Sequence, residues 1–192
     1  YLVLDRSGSM GPFYSSGAVQ RLAEQALGLS ANLDDDGTVP VVFFDHQVFT
    51  PVEFDLANYV GRVEKENRAL GSMGGTNYSP AMRAVVDHYC ASRVDAPAFV
   101  IFQTDGDPSD RAATEAVLKQ VSNLPIFWQF VGFGNNVSYL KGLDTLRGRH
   151  VDNAGFFSAG RDPRGMSDAE LYAKLLAEFP QWLTAARAAG VL

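Results

Sequence analysis

Asp5-Arg6-Ser7-Gly8-Ser9 puts a carboxylate and two hydroxyls at alternate positions, directly after the apolar run Tyr1-Leu2-Val3-Leu4. A carboxylate at the tip of a buried strand is costly unless a partner offsets its charge. Two later stretches carry matching chemistry: Thr76, in Gly74-Gly75-Thr76-Asn77, and the run Thr104-Asp105-Gly106. Asp5, Ser7, Ser9, Thr76 and Asp105 together offer two carboxylates and three hydroxyls, with no imidazole or thiolate among them. Oxygen-only ligation selects hard cations, Mg2+, Mn2+ or Ca2+, over zinc or copper. A site with few protein donors, completed by water, suits Mg2+, which dehydrates reluctantly. Two carboxylates facing a dication reach formal neutrality, so the ion removes the repulsion they would otherwise feel.

The elements around these residues have to bring them to one edge. Residues 1–5 read as a continuously apolar, buried strand. Val19, Leu22, Ala23, Ala26, Leu27 and Leu29 recur at helical spacing and predict a helix over 16–33, closed by a solvated turn at Asp34-Asp35-Asp36-Gly37. Val39–Phe44 is a second strand, and Val48-Phe49-Thr50 follows too closely for a crossover, so it reads as an antiparallel edge strand. Asp55 is placed to cap a short helix reaching Glu66. The stretch 70–77 is too glycine-rich for a regular element. A helix over 79–92 turns Met82, Val85, Val86, Tyr89 and Cys90 inward. Strands follow at 98–102, 126–131 and near 149–158, with helices between them. Asp107 and Pro108 read as the start of one of these helices, and Ser167-Asp168-Ala169-Glu170 as a capping box opening the last, which Pro180 kinks.

Alternating apolar strands and helices predict an α/β, three-layer αβα Rossmann-like fold, with helices on both faces of a mainly parallel sheet that carries one antiparallel edge strand. In such sheets ligands gather beyond the carboxyl ends of the strands, where the strand order switches. Asp5 and Asp105 each stand at such an end.

The chain of 192 residues, 46% hydrophobic and 20% charged, suits one domain with a large core. Because residue 1 is not methionine and a core strand begins at once, the chain reads as a domain excised from a longer, multidomain protein. A net charge of −6 argues against general nucleic-acid binding and against docking on an anionic membrane. No window approaches the roughly 20 apolar residues of a membrane span, so no membrane insertion is expected. One cysteine excludes an internal disulfide and fits the cytoplasm.

The motif Asp5-x-Ser7-x-Ser9, then Thr76, then Asp105, resembles the metal-ion-dependent adhesion site (MIDAS) of von Willebrand factor A (vWA) domains. The Ser-Gly-Ser-Met flank, the glycines before Thr76 and the Thr-Asp-Gly run match as well, and the resemblance covers essentially the whole chain. It implies that Ser7 and Ser9 ligate the metal directly. Thr76 would do so in the ligand-bound state, and Asp5 and Asp105 would act largely through water. It further implies a protein partner whose Glu or Asp carboxylate completes the coordination. The texture of 70–82 and 102–110 is most similar to bacterial vWA domains of the tellurium (tellurite) resistance and stress-response class.

Two other function classes fit the same residues. Asp5 beside a metal resembles the nucleophile of phosphohydrolases, but those place a second carboxylate two residues on, where Ser7 stands. A structural scaffold with an empty site is the other. His46, His88 and His150 lack metal-ligand spacing. Met10, Met73 and Tyr78 flank the site, either as a rim for a partner or as packing.

Overall fold

Six strands and eight α-helices are found in the computed structural model, which describes residues 1–33 and 37–192. The turn expected at Asp34–Asp36 lies outside the described residues. Strand β1 (Leu2–Asp5) leads into a short turn and α1 (Gly11–Ser15), with Pro12 in the first helical turn. Gly17, at φ +79°, then divides what the periodicity joined, and α2 spans Ala18–Leu33. Next come β2 (Val39–Phe44), β3 (Val52–Phe54), α3 (Arg62–Ala69), α4 (Tyr78–Ser92) and β4 (Ala98–Thr104). The chain continues through α5 (Arg111–Gln120), β5 (Ile126–Phe133), α6 (Ser138–Asp144) and β6 (Ala154–Gly160), and ends in α7 (Asp168–Leu175) and α8 (Phe179–Ala188).

The sheet order is β3-β2-β1-β4-β5-β6, parallel throughout except for β3, which pairs antiparallel with β2. The predicted α/β architecture is therefore the one observed. Strand order reverses between β1 and β4, so the carboxyl ends of these two neighbours flank the switch point.

Side-chain alternation sorts the strands onto two cores. Leu2, Leu4, Phe43, Ile101 and Val131 pack with α1, α2 and α7, while Phe127 packs on α8 through Trp182 on that same sheet face. Val3, Phe44, Phe102, Trp128 and Phe130 pack with α4, α5 and α6 on the opposite face. Fully burying one such aromatic or aliphatic side chain stabilises the fold by about 1.5–3 kcal/mol, so the layers are held mainly by this burial.

Local expectations failed where turn chemistry outweighed pattern. The edge strand is Val52–Phe54, and Val48 makes only an isolated bridge to Phe44. Asp55 caps a turn, not a helix: its carboxylate accepts from Ala57 N and Asn58 Nδ2, and α3 starts after Gly61 at φ +65°. The residue before α5 is Asp110, not Asp107, since Asp107 to Asp110 form the approach to the helix. Cys90 is exposed rather than core, because α4 turns that side outward. The capping box is present as read: Ser167 Oγ accepts from Glu170 N while Glu170 accepts from Ser167 N. After it, Pro180 sits in the first turn of a separate helix, α8, and does not kink a continuous one.

Candidate metal centre

Three loops meet at the carboxyl edge of β1 and β4. The first, residues 5–10, leaves β1 and turns at once into helix. Asp5 is fully buried, Ser7 nearly so, and Ser9 is exposed, so oxygen atoms line a path from the core outward. The Asp5 carboxylate is held on both oxygens: Oδ1 accepts from Ser7 N at 2.6 Å and Oδ2 from Thr104 Oγ1 at 2.5 Å. Ser7 Oγ and Ser9 Oγ are 3.2 Å apart, and Ser9 Oγ donates to Asp105 Oδ1 at 2.8 Å. Asp5, Ser7, Ser9 and Asp105 thus form one connected set.

Thr76 arrives on the second loop, between α3 and α4. Gly8 N donates to Gly74 O at 2.9 Å, and Ser7 and Gly74 form a parallel bridge. Thr76 is half-buried, and its carbonyl accepts from Ser109 N at 2.8 Å, which ties it to the third loop, 105–110. Among the described residues, no hydrogen bond links the Thr76 hydroxyl to the other four donors. Thr76 is brought to the site by its backbone.

Residues outside the predicted ligand set hold these loops together. Asp110 accepts from Tyr78 N and Ser79 N, 3.0 and 2.9 Å, so the third loop caps the helix that follows Thr76. Tyr78 OH lies 2.9 Å from Thr104 Oγ1 and donates to Gly106 O. Both Met10 and Tyr78 are fully buried, so these two flanking residues are packing; Met73 is half-buried. Arg6 is fully buried too, turned away from the site toward Asp45. Nothing in the local sequence marks Asp110 or Arg6 for these tasks, because their partners lie far along the chain.

The electrostatics favour a cation. Burial pushes the Asp5 carboxyl up to about 6, with the neighbouring Asp105 adding to the rise, and burial also raises Asp105. Among the described residues, neither carboxylate forms an ion pair with a lysine, arginine or histidine. Two adjacent carboxylates short of positive charge, next to neutral hydroxyls, fit a hard divalent ion. No group of three or more His, Cys, Asp or Glu side chains is placed to hold a metal among the described residues, so any ion here would rest on hydroxyl oxygens as much as on charge. Ser7, Ser9 and Thr76 could hold it directly, with Asp5 and Asp105 beside it.

Known proteins share the family and the fold of this chain. A family model described as a vWA found in the TerF C terminus matches residues 1–192. The uncharacterized protein YcbR of Bacillus subtilis (strain 168) is 39% identical over 196 residues, spanning 100% of this chain and 79% of that protein. A von Willebrand factor type A protein from Catenulispora acidiphila superposes with a TM-score of 0.60 at 18% identity, over 98% of this chain and 42% of that one. The chain therefore spans about two fifths of that protein. Manganese-loaded TRAP protein of Plasmodium vivax superposes with a TM-score of 0.59 at 19% identity, over 82% of this chain and 67% of that one. At such identities the likeness is one of fold.

Proposed function

Since the chain belongs to the family of vWA domains found in the TerF C terminus, we propose that it is a divalent-metal-dependent protein-binding module. In this reading Ser7, Ser9 and Thr76 ligate Mg2+, or Mn2+ or Ca2+ in its place, with Asp5 and Asp105 close by. The bound ion captures a Glu or Asp side chain of a protein partner. The module serves a bacterial tellurium-resistance or stress response in the cytoplasm, joined to further domains. The TerF-like family and the manganese in one structural neighbour support this assignment.

One observation carries it: the connected hydrogen-bond path from the Asp5 carboxylate through Ser7 and Ser9 to the Asp105 carboxylate, with neither carboxylate in an ion pair among the described residues. A first shell of mostly neutral oxygen leaves the ion strongly Lewis-acidic, so an incoming carboxylate can supply the missing charge. The cation is also what lets an acidic chain, net charge −6, attract an acidic partner. A nucleophilic Asp5 is less well supported, because both its oxygens already accept hydrogen bonds and the residue is fully buried. No helix among the described residues is long and apolar enough to cross a membrane.

Calorimetric titration with Mn2+ and Mg2+ tests the reading. Wild type should bind, and Ser9→Ala should lose at least about tenfold in affinity while its melting temperature changes little, since Ser9 is exposed. A glutamate-bearing peptide should then bind the loaded protein better than its glutamine counterpart. Equal binding by wild type and Ser9→Ala would refute it.

A further inference from the structure

Arg6 stands in the chain between Asp5 and Ser7 of the proposed site, yet its guanidinium is fully buried. Its Nε donates to Asn67 Oδ1 at 3.2 Å, one terminal nitrogen to Asp45 Oδ2 at 2.8 Å and Ser72 O at 3.3 Å, and the other to Gly71 O at 2.7 Å. The charge also lies 5.0 Å from the centre of the Phe49 ring. Three of these four acceptors belong to the end of α3 and the start of the loop that carries Thr76.

That loop cannot hold its own shape. Gly71, at φ +78°, Gly74 and Gly75 leave it without regular structure, so its course is set by anchors. Arg6 fixes its entry, Gly8 N its middle through Gly74 O, and Asp45 its exit: the Asp45 carbonyl accepts from Asn77 N at 2.9 Å. Asp45 thus serves both ends, its carboxylate taking Arg6 and its carbonyl taking Asn77. The loop passes so close to this turn that a Cβ at Gly74 would stand 2.1 Å from His46 Nδ1 and 3.0 Å from Asp45 Cγ.

We infer that the buried Arg6–Asp45 ion pair is a positioning device, which sets where the 70–77 loop presents the Thr76 hydroxyl against Ser7 and Ser9. The inference rests on the cation-binding reading above and assigns these two residues a task within it. An ion pair with no exposure contributes little net stability by itself, because desolvation offsets its attraction. Its use here is geometric: a planar fork of donors holds one loop at several points, which a point charge cannot do.

Arg6→Lys keeps the charge and loses the fork. Wild type, Arg6→Lys, Thr76→Ala and the double variant are titrated with Mn2+, and water bound to the manganese is counted by proton relaxation. Arg6→Lys should weaken Mn2+ about 10- to 100-fold and add one bound water, as Thr76→Ala does. The double variant should be no worse than the weaker single one, since both act on one donor. A folded Arg6→Lys that binds as wild type, or losses that simply add, overturns the inference. Should Arg6→Lys fail to fold, Asp45→Asn takes its place under the same criteria. Amide exchange in metal-free protein provides an independent arm: Gly8 and Asn77, which bond to the loop and to Asp45, should exchange faster in the variant while β5 amides do not. If wild type binds no Mn2+, the binding reading falls, and exchange alone decides the positioning role; unchanged exchange refutes it.

Discussion

Asp5 is the residue at which folding and metal binding compete. Burial favours its neutral acid, with the folded carboxyl near 6 against an ordinary 3.8. In the metal-free protein that preference favours the fold fully below about pH 4 and is lost as pH rises through about 6. Asp5→Asn, which keeps the shape without the charge, should therefore gain on wild type between pH 4 and 7 in chelator. Urea denaturation of both proteins across that range measures the gap, and a gap independent of pH would contradict it. With Mn2+ present the order should reverse at neutral pH, because the charged carboxylate then has a counter-ion. Ser7 and Ser9 are legible beside Asp5 because a strand-to-helix turn fixes their spacing locally. Thr76 is legible only as a residue type after two glycines, and its place at the site depends on anchors supplied by Gly8, Asp45 and Ser109.

At the scale of the element, α4 depends on a residue outside itself. Its own N-cap residue, Asn77, makes no side-chain cap, and Asp110 from the approach to α5 accepts from its first two amides instead. Asp110→Ala should cost about 1–2 kcal/mol in urea denaturation and also weaken Mn2+, since Thr76 immediately precedes Asn77 and is tied to the neighbouring Ser109. Loss of stability with metal affinity intact would show that the cap and the site are separate. Sequence patterning located α4 to within a residue, since an apolar stripe is written into 78–92. It placed Asp107 at the start of α5, where the N-cap position is Asp110, and it left the cap of α4 unread, because a capping carboxylate contributed by another loop leaves no local trace. The edge strand shifted for a related reason: Val48 has the right composition, but the turn at Asp45–Gln47 ends the pairing, and register is decided by the β2 partner.

At the scale of the molecule, a ligand that binds only the folded chain must stabilise all of it. Mn2+ at about 100 times its dissociation constant should add about 2.7 kcal/mol, which for a chain of this size raises the melting temperature by about 5–10 °C. Scanning calorimetry with Mn2+ and with chelator measures this, and at the same Mn2+ concentration the shift should fall to about half or less in Ser9→Ala. Much of the fold was legible beforehand. Alternation of apolar strands with helices implies a parallel sheet covered on both faces, and Val39–Phe44 and Ile126–Val131 carry that signal in their own composition. The sequence by itself determined the layer architecture and the three oxygen-bearing stretches, because periodicity and residue type are properties of short segments. Only the tertiary structure decided that Arg6 turns inward to a partner 39 residues away, that Asp110 caps a helix it does not belong to, and that Thr76 is delivered by its backbone. Those outcomes depend on which distant segments the sheet order brings side by side, and no local pattern records that.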